Sequence, residues 1–184
     1  LFLLKIKEMF ENKIVVITGG TDGIGKALVS EFLSLGASVA TCARNAQNLF
    51  DLKKEFDGKP LFTMEADVSK EEDCKNFILQ IVNKFNRIDI LINNAGISMR
   101  GLFRETNLET LRRVMDINFW GSVYCTKFAL DIILENKGTI VGMSSVAGYR
   151  GLPGRSGYSA SKFALNGWME ALRTELLETG VNVM

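Results

Sequence analysis

Tyr158 and Lys162 stand four residues apart in "GYSASKFALNG", residues 157–167 of a 184-residue chain that contains no histidine. On a helix that spacing puts the phenol and the ammonium on one face. A phenol alone is too weak an acid to exchange protons readily at neutrality. A cation about 4 Å away favours the phenolate by up to about 4 kcal/mol at an effective dielectric of about 20. Such a pair can act as general acid and base without imidazole. The same spacing also fits an exposed i, i+4 pair, so the neighbouring segments must decide between the two.

Short β-rich runs recur at "KIVVITG" (13–19), "ASVATCA" (37–43), "LFTMEAD" (61–67), "IDILINN" (88–94), "GTIVGMSS" (138–145) and "VNVM" (181–184). Between them lie helical periods, such as Ala27, Leu28, Glu31, Phe32 and Leu35, or Phe163, Leu165, Trp168, Met169 and Leu172 within a helix expected over 158–179. Ser69 and Glu72 have capping-box spacing at the start of one of these helices. Strands alternating with helices predict right-handed crossovers and a parallel sheet covered on both faces. In a doubly wound sheet of this kind, ligands bind at the carboxyl ends of the strands.

The chemistry-bearing residues fall at those ends. "TGGTDGIG" (18–25) follows the first run, where glycines allow a sharp turn and the next helix N-terminus favours phosphate. The strict GxGxxG pattern is absent because Leu28 takes its last glycine position, and no Gly-Lys-Ser/Thr is present. A plain turn therefore remains open for this segment. The second run ends in Cys42-Ala43-Arg44. A guanidinium where an NAD site carries a carboxylate predicts NADP(H) over NAD(H). Asp22 argues mildly the other way, and Arg44 also fits an ordinary surface position. "NNAG" (93–96) ends the fourth run, and Ser144 and Ser145 end the fifth, with Ser145 placed 13 residues before Tyr158. A hydroxyl there can hold a carbonyl oxygen. Asn118, in "MDINFWG", sits mid-helix, where propensity gives it no advantage and a solvent-facing side chain is the alternative.

Composition narrows the classes. Nearly half the residues are apolar and the net charge is +1 without like-charge blocks, which predicts one globular domain and no nucleic-acid partner. Three scattered cysteines without CxxC spacing suggest neither a disulfide framework nor a metal site. They fit a reducing, cytoplasmic setting. "LFLLKIKEMF" has too short an apolar run to span a membrane; a short amphipathic lead-in over 1–12 is expected, with the stub of a longer anchor as the alternative. The last residues stop as a new apolar run begins, which reads as a fragment, an α/β domain over 13–184 truncated after its sixth strand.

Taken together, Thr18-Gly19-xxx-Gly23-x-Gly25, Asp67-Val68, Asn93-Asn94-Ala95-Gly96, Asn118, Ser145 and Tyr158-xxx-Lys162 resemble the compact, single-domain branch of the short-chain dehydrogenase/reductase family. The resemblance covers residues from about Lys13 onward. It implies a Rossmann sheet of order 3-2-1-4-5-6 extended by a seventh strand. It implies an NADP(H)-dependent oxidoreductase interconverting a ketone or aldehyde and an alcohol. Asn118, Ser145, Tyr158 and Lys162 would be catalytic: Tyr158 as acid/base, Ser145 orienting the carbonyl, Lys162 holding the nicotinamide ribose and Asn118 anchoring a relay water. Gly19, Thr21, Asp22, Gly23, Ile24, Gly25, Arg44, Asp67, Val68, Asn94, Ala95 and Gly96 would line the cofactor, joined by Tyr158 and Lys162. Pairing into a homodimer or homotetramer would use the helices after residues 107 and 158. The family continues past the sixth strand into loops that complete the nicotinamide and substrate sites, so activity of these 184 residues alone is doubtful. A sensor that binds dinucleotide without catalysis is the alternative on the same fold. The segments at 97–103 and 149–157 mix apolar residues with arginines and permit a bulky steroid-like or lipid-like ketone.

Overall fold

The structure, a computed structural model, describes residues 2–184, with side chains from Ile6 onward. Six strands, β1 (Ile14–Thr18), β2 (Ser38–Ala43), β3 (Leu61–Glu65), β4 (Ile90–Asn93), β5 (Thr139–Gly142) and β6 (Asn182–Val183), form one sheet of order β3-β2-β1-β4-β5-β6. Every pairing is parallel. The chain winds outward from β1 to β3, then returns to the other side of β1 at β4. This reversal opens a crevice at the carboxyl ends of β1 and β4.

Helices α1 (Phe2–Phe10), α2 (Gly23–Ser34), α3 (Ala46–Glu55), α4 (Glu71–Phe85), α5 (Leu108–Met115), α6 (Gly121–Asn136) and α7 (Ser156–Glu175) surround the sheet. β1 is buried along its whole length, as its unbroken apolar run requires of a strand covered on both faces. Its side chains divide with period two. Val15 and Ile17 pack with Val29 and Leu33 of α2 and Leu52 of α3. Val16 joins Phe77 of α4, Ile133 of α6 and Leu165 of α7 on the opposite face. The result is a three-layer α/β/α Rossmann fold. α1 rests on α2 through an edge-on contact of Phe10 and Phe32, 5.2 Å between ring centres. Among the described residues no helix is long and apolar enough to cross a membrane.

Two sequence expectations need correction. The capping box at Ser69 and Glu72 does not form: α4 starts from Lys70 without a side-chain cap. The Ser69 hydroxyl instead donates to Asp67 Oδ1 at 2.8 Å, a bond local to the turn that removes it from the helix end. The fifth run ends as a strand at Gly142, short of the serines, because the carbonyl of the next residue leaves the ladder with β4 for a lysine. The Met143 N–H donates to the Asn93 carbonyl, and the Met143 carbonyl accepts from Lys162 Nζ.

Asp89, away from the glycine turn, holds the start of the sheet. Its carboxylate is 5% exposed and accepts from the Ile14 N–H, Lys13 Nζ and the Arg87 guanidinium. Burial opposes its charge, but the Arg87 and Ile14 hydrogen bonds and Lys13 outweigh that and hold the carboxyl below its ordinary 3.8. Asp89→Ala is expected to cost about 1–3 kcal/mol in urea unfolding, chiefly for leaving the buried Ile14 N–H without an acceptor, since both cations reach solvent. The depressed carboxyl gives the sign: the contribution is present above pH 3.8 and lost as pH falls through the lower folded value. An unfolding free energy unchanged by the substitution at pH 7 would refute the assignment.

Candidate active site

A cleft of about 760 Å³ lies at the crevice and is lined by all twelve expected cofactor residues from Gly19 to Gly96. The sequence fixes its floor through the glycine turn. Gly19 has φ +72°, a conformation glycine adopts without strain. A Cβ on Gly25 would lie 2.2 Å from the Gly19 carbonyl oxygen, so the helix can start this close to the turn only with glycine there. Asp22 caps α2 by accepting from the Gly23 N–H at 2.7 Å, leaving the remaining amides of the first turn for an anion.

The turn is fastened to its neighbours by residues whose role was not evident from spacing. Thr18 Oγ1 accepts from the Asn94 and Ala95 N–H groups at 3.1 and 3.0 Å. Asn94 Nδ2 donates to the Thr18 and Gly19 carbonyls in return. Thr41, fully buried in β2, accepts from the Gly20 N–H and donates to the Ile17 carbonyl.

Arg44 and Asp67 lie at one end of the cleft with Asn45 and Asn48, neither of which the motifs had indicated. Burial disfavours the Asp67 carboxylate, yet the hydroxyl and N–H of Ser69, with the charges of Arg44 and Lys70, hold its pKa below the ordinary value. Asp67 is thus a fixed acceptor beside a free-reaching guanidinium. Amides at a helix N-terminus, a carboxylate acceptor and a cation in a cleft of ligand size fit a dinucleotide.

Beyond the cleft stand the four expected catalytic residues. Asn118 lies in a π-helical turn, Asp116–Trp120, that joins α5 to α6, a local widening often found at functional sites. It is 1% exposed, so the solvent-facing alternative is excluded. Its Oδ1 accepts from the Ile97 N–H, and its Nδ2 donates to the Ile97 carbonyl and to Ser161 Oγ. Ser145 Oγ accepts from the Ala147 N–H at 3.2 Å, starting a short 3-10 turn (Val146–Gly148) and keeping its own proton for an acceptor. Gly148 of that turn packs on α7, where Asn166 Nδ2 donates to its carbonyl.

Tyr158 and Lys162 do share a face of α7, but they do not hydrogen-bond to each other. Lys162 is 5% exposed, its Nζ 2.7 Å from the Met143 carbonyl oxygen and 5.8 Å from the Tyr158 ring centre. Burial pushes the lysine pKa below 10.5. The simple expectation of a phenol–ammonium contact is replaced by a lysine anchored to the end of β5 beside the tyrosine ring. The exposed-pair alternative fails on the burial of Lys162.

A dinucleotide-binding Rossmann fold with a Ser, Tyr and Lys at one sheet edge defines a class, and comparison with known proteins places the chain within it. A family model described as short chain dehydrogenase matches residues 13–184. The chain belongs to the short-chain dehydrogenase family. It is 43% identical over 184 residues to 11-beta-hydroxysteroid dehydrogenase A of Arachis hypogaea, matching 97% of this chain and 53% of that protein. It is 38% identical to 11-beta-hydroxysteroid dehydrogenase 1A of Arabidopsis thaliana, over 96% of this chain and 52% of the relative. The crystal structure of a short-chain dehydrogenase from Streptomyces avermitilis superposes with a TM-score of 0.89 at 29% identity, covering 94% of this chain and 64% of that one. The chain spans about half the length of these two curated relatives.

Proposed function

We propose that the full-length protein carrying this chain is an NADP(H)-preferring oxidoreductase that interconverts a ketone or aldehyde and a secondary or primary alcohol, with Tyr158 as the general acid and base. The observation that carries this reading is the buried Lys162, anchored to the Met143 carbonyl with its Nζ 5.8 Å from the Tyr158 ring centre, on a helix packed against the turn that Ser145 caps; Arg44 lines the cleft at the same sheet edge. When bound, the nicotinamide supplies or accepts the hydride. The glycine turn and α2 amides would hold the pyrophosphate, Asp67 would meet the adenine and Arg44 would meet a 2′-phosphate. As charge develops on the substrate oxygen, the Ser145 hydroxyl donates to it and Tyr158 transfers its proton to it. Lys162 supplies the positive charge beside the tyrosine ring and would hold the ribose. In alcohol oxidation the same proton returns to Tyr158.

For the substrate we infer a bulky apolar compound, in keeping with the hydroxysteroid dehydrogenase names of the relatives. Leu102, Phe103, Val146 and Tyr149, all more than half exposed, border the expected substrate side and support an apolar ligand. Self-association through α5 and α7 belongs to the same proposal; Leu108, Trp120 and Phe163 are exposed along these helices and the turn between α5 and α6. So does a reducing, cytoplasmic setting, which three free and buried cysteines support.

The test is a titration of the full-length protein with NADPH and NADH, followed by energy transfer from tryptophan. NADPH is expected to bind more tightly, and Arg44→Ala to weaken it about 10- to 100-fold, the range for losing a charge-assisted hydrogen bond. NADH affinity should change less than about threefold, since no 2′-phosphate is lost. Equal weakening of both dinucleotides would remove Arg44 as the selector.

A further inference from the structure

The backbone of Ile97, on the cleft wall, is connected to the backbone of Tyr158 by an unbroken chain of hydrogen bonds. The Ile97 N–H donates to Asn118 Oδ1 at 2.8 Å, and Asn118 Nδ2 donates back to the Ile97 carbonyl at 2.9 Å. The other Nδ2 proton goes to Ser161 Oγ at 3.0 Å, and the Ser161 hydroxyl donates to the Tyr158 carbonyl at 2.7 Å. The direction of every link is fixed. Ile97 presents one donor and one acceptor, which can be met by only one orientation of the Asn118 amide, and a serine hydroxyl has a single proton to give.

We propose that Ser161 is a positioning residue for the reaction, holding the first turn of α7, and with it the Tyr158 acid/base, in register with the Asn118 turn and the cofactor wall. This rests on the dehydrogenase reading above and assigns to that site a residue beyond the four expected to be catalytic. Ser161 is fully buried, at 0% exposure, and Asn118 is 1% exposed, so no solvent can replace either bond. The Tyr158 carbonyl is also the acceptor that the α-helical ladder offers to the Lys162 N–H. The hydroxyl therefore grips the helix between the two side chains that must be held relative to each other. Asn118 spends both amide protons and its oxygen on this chain, so its side chain acts here as a strut.

The experiment compares Ser161→Ala, Ser161→Cys and Ser161→Thr in the full-length protein. In Ser161→Ala, kcat is expected to fall about 10- to 100-fold, the scale for a small misplacement of a reacting group. The NADPH dissociation constant should stay within about twofold, because the glycine turn and Arg44 are untouched. Ser161→Thr, which keeps the hydroxyl, should restore most of kcat, and Ser161→Cys, a weak donor of similar size, should fall between. Amide hydrogen exchange supplies a readout independent of turnover: the Ser161→Ala chain should lose protection in the first turn of α7 and at Ile97, while β1 and β4 keep theirs. An unchanged kcat in Ser161→Ala overturns the proposal. So does equal loss of kcat and NADPH binding in all three variants, which marks a merely structural serine. If the wild type turns over no carbonyl compound or alcohol, the dehydrogenase reading fails, and the exchange pattern still decides whether Ser161 couples the two segments.

Discussion

Tyr158→Phe, in the full-length protein, is expected to lower kcat about 10²- to 10⁴-fold, the usual contribution of a positioned general acid or base. The dissociation constant for NADPH should stay within about twofold. The two outcomes separate because the residues divide spatially: the cleft is lined from Gly19 to Ile117 without Tyr158, which belongs to α7. Phenylalanine keeps the ring beside which the Lys162 ammonium sits, 5.8 Å from its centre, so the anchor on Met143 has no reason to move. Only the phenolic oxygen is lost. Single-turnover reduction of a ketone, measured alongside the cofactor titration, checks both halves. Turnover at the wild-type rate would transfer the acid/base role elsewhere; loss of cofactor binding with turnover would mean that the hydroxyl serves the cleft.

The sheet was legible in the sequence because each strand is an apolar run closed by turn residues, and all six runs became strands, in an order that places the motifs on one edge. Run ends were less legible. Asp89 lies within the fourth run by hydropathy, but its carboxylate is occupied with Arg87, Lys13 and the Ile14 N–H, and β4 starts only at Ile90. Ser69 has the spacing of a cap and chooses Asp67 instead, a competition among short polar side chains that spacing cannot settle. The residues that line the cleft were legible because glycines and a terminal arginine leave a local signature. The struts were not. Thr18, Thr41 and Ser161 act through partners 76, 24 and 43 residues away, respectively Asn94, Ile17 and Asn118, and their pairings exist only once the sheet and helices have assembled. Asn118 could be suspected from its poor fit to a helix, whereas the π turn that buries it had no signature of its own.

Lys162→Met tests the other half of the pair and carries a pH signature of its own. Methionine is close in length, and the variant should lose at least about 100-fold in kcat because the charge that favours the phenolate is gone. The effect on stability follows from the lysine being buried against the Met143 carbonyl. Desolvation lowers its pKa in the folded chain, while the unfolded lysine holds its proton up to 10.5. Between the lowered folded value and 10.5 the unfolded state therefore binds more protons, and wild-type stability contributed by this group rises with pH across that window. Below the window the cost of burying the ammonium is fully present; above it the cost is gone. Methionine has no such dependence. Urea unfolding of both proteins from pH 7 upward should show the difference in unfolding free energy shifting toward the wild type as pH approaches 10.5. A difference that stays flat over that range would mean that the ammonium is effectively solvated, and that the anchor on Met143 is not what holds Lys162 beside the tyrosine.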